Sequence, residues 1–492
     1  MRAACPAGPD GSPSGPSLSV ATAQPAPARP REPLAAGLPS AQAAAGDFAA
    51  VRRLSLLLAA PLSAEDQGLQ SMPDASPTKW HLAHTTWFIE TLLLQAHAPG
   101  YVPFDAHYGR LFNSYYESLG PRHPRPERGL LSRPGSEEVL RYRAHVDLAM
   151  AQWLQSMPAA RWSEQAAALL PLLRLAQAHE EQHQELILTD ILHALSRSPL
   201  EPAYREPAAP CSEAPAPARP GGAPLRWTTH AGGLVSIGTD PGDPRRFAFD
   251  NEGPRHQVWL TPFQIAQRPV SCGDYLAFID AGGYRNPAWW TSDGWAAVQA
   301  QAWQAPLYWR DEGNGRFSRF TLQGRIAVDA ADPVCHLSWL EAAAYAAWAG
   351  ARLPTEAEWE AVFGSLDAGS SRLGPAPGPA SGKAPGQGAP TGLSAQRLGR
   401  GPLRPHAVDP AGAVQPPGEV WEWTASSYSP YPGFRPFAGV ASEYNGKFMV
   451  GQMVLRGGSW ATPAGHVRPS YRNFFPPSAR WQFSGLRLAR DA

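Results

Sequence analysis

The segment from about Ser163 to Leu195 keeps apolar side chains at helical spacing, and in its middle stand His179-Glu180-Glu181-Gln182-His183. A helix turns about 100° per residue, so histidines four apart point the same way and make half of a metal site. A helix with such a half-site needs packed neighbours to supply the remaining ligands. The same letters also satisfy H-E-x-x-H, the zinc-protease pattern in which the glutamate activates a metal-bound water.

Upstream, the pattern predicts three partner helices. Phe48, Val51, Leu54 and Leu58 recur at helical spacing from Asp47 until Pro61 ends the run. Ser76-Pro77 reads as an N-cap and first helical position, opening a helix through Trp80, His81, His84, Trp87, Phe88 and Leu92 to about Gln95. A third helix is expected from Ser136 to Leu154. Four amphipathic helices of this kind read as an up-and-down bundle with ligands projecting inward. Residues 1 to about 44 hold almost no large apolar groups and are expected to form a disordered Pro/Ala-rich arm.

A second Pro/Ala-rich stretch, 199–225, reads as a linker between residues 45–198 and 226–492. Beyond it the period shortens and Gly, Trp and turn residues multiply. Gly233–Gly238 and Gln257–Leu260 read as strands, and Ser338–Ala349 and Thr355–Phe363 as helices. The second half is therefore expected to be α+β, with a mobile insertion at about 365–405 where Gly, Pro, Ala and Ser again dominate. No internal repeat is evident.

Composition narrows the function classes. At 492 residues the chain is too long for one core, and 42 basic against 42 acidic residues leave no net charge to favour nucleic acid or an anionic membrane as partner. No apolar run approaches the roughly 20 residues of a membrane span, and Arg2 is not followed by the apolar core of a secretory signal. Cytoplasm is the expected compartment. The four cysteines are widely spaced, which excludes a disulfide scaffold or a thiolate zinc site. Oligomeric state is left open.

Two histidines hold a divalent ion weakly, so a third ligand is required, and His81 and His84 on the second helix are both candidates. The protease alternative wants its third ligand downstream. His193 lies ten residues after His183 with no glycine turn between them, and Leu186, Ile187, Ile191 and Leu195 continue the helix as a bundle core would.

Trp80-His81-Leu82-Ala83-His84-Thr85 together with the His179–His183 motif resembles the DinB-type bundle of the ergothioneine-biosynthesis sulfoxide synthases. The second half resembles the formylglycine-generating-enzyme fold, related to C-type lectins, that those synthases carry. Its marks are Arg352-Leu353-Pro354-Thr355-Glu356-Ala357-Glu358-Trp359-Glu360, Gly418-Glu419-Val420-Trp421-Glu422-Trp423-Thr424, Leu455-Arg456-Gly457-Gly458-Ser459-Trp460 and Ser484-Gly485-Leu486-Arg487. The resemblance implies that His84, His179 and His183 form a three-histidine site for non-haem iron(II), with His81 a neighbour. It implies an O2-dependent enzyme that joins the sulfur of cysteine or γ-glutamylcysteine to C2 of hercynine, the trimethylated betaine of histidine. Tyr115 and Tyr116 match a tyrosine pair of one branch, implying a catalytic acid. Asn473, Phe474 and Phe475 match the segment lining the hercynine pocket, where aromatic faces attract the quaternary ammonium, and Gln182 is expected to contact substrate. Arg110 and Arg472 are candidates for the donor carboxylate.

Formylglycine-generating enzymes carry cysteines just after the Gly-Gly-Ser-aromatic turn; here Ala461, Thr462, Pro463 and Ala464 stand there. The second half is thus expected to be a binding scaffold. Selenoneine- or ovothiol-type synthases, with another chalcogen donor or histidine as acceptor, are close alternatives. A lectin-like sensor without activity is the non-enzymatic one.

Overall fold

The four expected bundle helices are present. The computed structural model describes residues 38–206, 224–240, 247–364, 393–394, 397–398, 401–407 and 414–492. Helix α1 spans Ala41–Ala59 and is capped by the Ser40 hydroxyl, so helix begins inside the stretch expected to be an arm through 44. Residues 1–37 of that arm lie outside the described residues. Helix α2, Thr78–Ile89, runs on through a π-helical turn, Glu90–Leu94, into the short α3, Gln95–His97. Its cap differs from the expected one. Pro77 takes the cap position and Ser76 does not cap with its side chain. The Ser76 N–H instead donates to Asp190, 2.8 Å away, while its hydroxyl accepts from Arg128.

After the short α4, Tyr108–Phe112, the last two bundle helices are α5, Ser136–Gln155, and α6, Ala159–Ser196. α6 packs against both α1 and α2. The stretch after it is not a free linker throughout. The Tyr204 hydroxyl donates to the Leu58 carbonyl, the Arg205 N–H donates to that of Leu322, and Glu201 pairs with Arg325. Residues 207–223 lie outside the described residues.

The second half is α+β, as expected. β1 (Trp227–His230), β4 (Phe263–Ala266) and β12 (Ala489–Asp491) form one sheet in the order β1-β4-β12. β2 (Gly233–Ile237) and β3 (His256–Leu260) pair antiparallel. β5 (Trp309–Asp311), β6 (Phe317–Thr321) and β7 (Gly324–Ala327) make a meander. β8 (Trp421–Ser427), β9 (Met453–Arg456), β10 (Asn473–Phe475) and β11 (Ser484–Leu486) form the fourth sheet, ordered β10-β9-β8-β11. Helices α7 (Cys272–Asp280), α8 (Ser292–Gln301), α9 (Trp339–Trp348) and α10 (Glu356–Phe363) pack around them. Ser338 and Thr355 start α9 and α10 through capping boxes with Glu341 and Glu358. A core of Ile237, Leu260, Phe263, Ile265, Trp359 and Phe363 lies between α10 and the strands.

The four sequence motifs of this half are tied together by buried ion pairs. Glu356 receives both ends of the Arg472 guanidinium, Glu360 pairs with Arg456, and Glu422 takes Arg487 along with the Trp359 indole N–H. A buried charge that has lost its partner is costly, so each motif requires the next. Most of the expected insertion at 365–405 lies outside the described residues, but Leu393 is buried and bridges to Pro463. Residues Pro39–Ala492 form one compact unit.

Candidate metal centre and active site

Successive residues of the α6 motif face four directions, and each direction has its own partner. His179 and His183 point toward α2, where His84 meets them. One ligand atom from each of the three lies within 4.8 Å of the others, and they are the only such cluster among the described residues. The Nε2 atoms of His84 and His179 are 3.2 Å apart. Two metal–nitrogen bonds of about 2.1 Å at a right angle place nitrogens roughly 3 Å apart, so the spacing fits a cation between them.

The protonation chemistry fits as well. Burial holds His84 and His183 well below the ordinary histidine pKa and brings His179 down to about 3. All three are neutral imidazoles, the form that ligates. His84 Nδ1 donates to the Phe112 carbonyl at 2.6 Å, which turns its Nε2 lone pair toward the cluster. Trp80 stacks on His84 at 4.6 Å, and Phe88 sits 4.2 Å from the His179 ring, so the walls are apolar.

Glu180 points away from this centre. It is 1% exposed and accepts from Arg52, Arg143 and Ser55. A glutamate committed to two guanidiniums cannot serve as the base of a metalloprotease, and His193 bonds Ser71 at 2.6 Å. The hydrolytic reading of the motif falls on both counts.

Glu181, Gln182 and Glu185 face the second half of the chain. Glu181 pairs with His466. Gln182 donates to the Tyr471 hydroxyl at 2.6 Å and accepts from that of Tyr444. Glu185 accepts from the Trp421 indole, Ser459 and Thr462. Gly457 and Gly458 have φ values of +95° and +79°, and a Cβ on Gly458 would meet Val467 at 2.4 Å, so the turn that presents Ser459 needs glycine there. Thr462, in the segment that follows the Gly-Gly-Ser-Trp turn and holds no cysteine, thus docks the bundle.

Residues 228–492 match the family described as sulfatase-modifying factor enzyme 1-like domain, and residues 22–187 match the DinB superfamily. Over 434 residues the chain is 36% identical to the hercynine oxygenase of Mycolicibacterium thermoresistibile, covering 85% of this chain and 88% of that protein. It is 37% identical over 431 residues to the hercynine oxygenase of Mycobacterium tuberculosis, covering 85% and 92%. The chain belongs to the hercynine oxygenase family. The chain is also similar to the formylglycine-generating enzyme of Thermomonospora curvata, at 37% identity over 160 residues, 28% of this chain and 48% of that one.

Within this family frame, the remaining expected site residues fall into place unevenly. The segment that turns His84 also carries the tyrosine pair, because Asn113 clamps the Tyr116 backbone with its side-chain amide. Tyr115 and Tyr116 stack at 4.7 Å. Tyr116 is fully buried and its hydroxyl makes no well-formed hydrogen bond among the described residues. Burial pushes the Tyr115 phenol up to about 12 and Tyr116 well above its ordinary value, so both stay protonated. From Tyr115 an aromatic path leads through Phe448, at 5.1 Å, to Phe474. Tyr428 covers one face of Phe474 at 3.9 Å, Phe475 packs on Trp481, and the Asn473 side chain accepts from the Phe474 N–H.

The two arginine candidates differ in their surroundings. Arg472 is 1% exposed, is spent on Glu356 and on the Asn251 and Ser429 carbonyls, and lies over Tyr431, so it braces the scaffold. Arg110 is exposed on α4. A different arginine has the expected character. Arg128 is 3% exposed and lies 3.4 Å over the Trp80 ring that stacks on His84. It donates to Ser76 and Ser114 hydroxyls, has no ion pair among the described residues, and its Nε is unpartnered. Arg52, Arg143, Arg319, Arg456, Arg472 and Arg487, the other buried arginines, all pair with carboxylates. Arg128 was missed because it lies in a six-residue 3-10 helix, Arg125–Leu130, too short to show a periodicity. Tyr444, whose ring is 5.6 Å from that of His179, was missed for the same reason.

Proposed function

We propose that this protein is an O2-dependent sulfoxide synthase that joins the sulfur of cysteine or γ-glutamylcysteine to C2 of the hercynine imidazole, using iron(II) at His84, His179 and His183. The observation that carries the reading is the convergence of three neutral, buried imidazoles beside a Gln182 held across the seam by Tyr444 and Tyr471. Iron(II) held by His84, His179 and His183 would supply redox chemistry toward dioxygen with coordination positions left open. Arg128 meets the carboxylate of the thiol donor, because a buried guanidinium without a counterion gains most from an incoming anion. This replaces Arg472; Arg110 is a weaker candidate at the surface. Phe474 and Phe475 line the trimethylammonium end, each exposed face being worth about 0.5–2 kcal/mol to a cation. Tyr115 and Tyr116, kept protonated by burial, supply the proton. No helix among the described residues is long and apolar enough to cross a membrane, and we place the reaction in the cytoplasm.

The test is oxygen uptake by iron-loaded protein with hercynine and each thiol, followed by mass spectrometry of the product. Uptake that requires both substrates and yields their sulfoxide adduct is expected. No uptake with any imidazole–thiol pair would overturn the assignment.

A further inference from the structure

His183 is held from behind by a chain of two further side chains outside the cluster, His81 and then Asp190. His81 Nδ1 lies 2.8 Å from His183 Nδ1, and His81 Nε2 lies 3.1 Å from Asp190 Oδ2, which also accepts the Ser76 N–H at 2.8 Å. Both members are buried, His81 at 2% and Asp190 at 5% exposure. Asp190 lies seven residues beyond His183, two turns along the same stripe of α6.

With Asp190 ionised and His81 a neutral imidazole, the donor pattern has one solution. An ionised carboxylate only accepts, so His81 carries its proton on Nε2. A neutral imidazole then has a lone pair on Nδ1, which must accept from His183 Nδ1–H. That leaves His183 Nε2 bare and facing His84 and His179. We infer that Asp190 and His81 are positioning residues that lock the tautomer and ring angle of His183 for metal binding. The inference rests on the metal reading above, though not on the identity of the substrates. His84 gets the same service from the Phe112 carbonyl, whereas His179 Nδ1 has no partner among the described residues. Outer partners of ligating histidines typically matter 10–100-fold in metal affinity.

Because Asp190 also ties α6 to the start of α2, a purely architectural role is the competing account, and the variants separate the two. The full chain, stripped of metal, is titrated anaerobically with Co(II) against a competing chelator. Asp190→Ala and His81→Leu are expected to weaken Co(II) binding by about 10–100-fold while the metal-free far-UV dichroism stays that of the wild type. Asp190→Asn is expected to return within a few-fold of wild type, since one carboxamide oxygen can accept from both Ser76 and His81. In the Co(II) form, proton NMR should show a shifted, slowly exchanging ring N–H from His183 that survives in Asp190→Asn and disappears in Asp190→Ala. Wild-type Co(II) affinity in Asp190→Ala, or retention of that resonance in it, overturns the inference while leaving the metal site standing. Absence of Co(II) binding by the wild type overturns the metal reading itself.

Discussion

Glu180→Gln separates a brace from a base at the residue beside the first metal histidine. Glu180 accepts from Arg52 at 2.8 Å, from Ser55 at 2.6 Å and from Arg143. Arg52 keeps Asp147 as a second partner, but Arg143 has no other carboxylate among the described residues. The variant therefore strands a guanidinium that is 1% exposed, at a cost of roughly 3–5 kcal/mol. A second route gives the same size. Burial alone would raise the Glu180 pKa, yet Arg143 and Arg52 overcome it and hold the carboxyl at about 2 instead of 4.5. By linkage that gap corresponds to roughly 3 kcal/mol of stability. Because the folded-state pKa is depressed, this stability is complete above the unfolded value of 4.5 and is lost as pH falls toward about 2. Urea unfolding followed at 222 nm should show the full deficit at pH 7 and a smaller one at pH 3. A variant within about 0.5 kcal/mol of wild type at pH 7 would refute the brace. So would one that folds and loads metal normally but has lost all turnover.

Replacing His84 or His183 by Ala should abolish stoichiometric iron while sparing most helical dichroism; retained iron in both variants would contradict the ligand set. Arg128→Met should raise KM for the thiol donor by about 10-fold or more, the loss of one charge-assisted contact, and leave KM for hercynine near wild type. Equal rises for both substrates would point to a collapsed wall. Changing Tyr115 and Tyr116 together to Phe should preserve substrate binding by calorimetry and remove sulfoxide formation, and an unchanged yield would leave them a packing role. Glu185→Ala strands three buried donors of the second half, each costing about 1–3 kcal/mol, so hydrogen exchange should accelerate at Trp421 and Ser459; unchanged protection would show that other contacts carry the seam.

Regular elements were legible because periodicity and caps are local. Ser338 with Glu341 and Thr355 with Glu358 start helices where the letters place them, and the α6 stripe puts His179 and His183 on one face whatever surrounds them. Ser76 shows the limit. Its N-cap signature is sound locally, but Asp190 and Arg128, distant in sequence, take its N–H and its hydroxyl. Arg472 and Arg128 make the same point in opposite directions. A charge in a promising segment turned out to be spent on Glu356, while one in a featureless segment turned out to be buried and unspent.

Residues 179–183 contain both kinds of information. The sequence alone determines that the two histidines share a helix face and that Glu180, Glu181 and Gln182 point elsewhere, because the helical repeat is set by backbone geometry. Only the tertiary structure decides what each direction meets: His84 for the histidines, Arg52 and Arg143 for Glu180, His466 for Glu181, and Tyr444 and Tyr471 for Gln182. A metal ligand set and a counterion are defined by atoms within a few ångströms, and those atoms come from segments that chain order keeps apart.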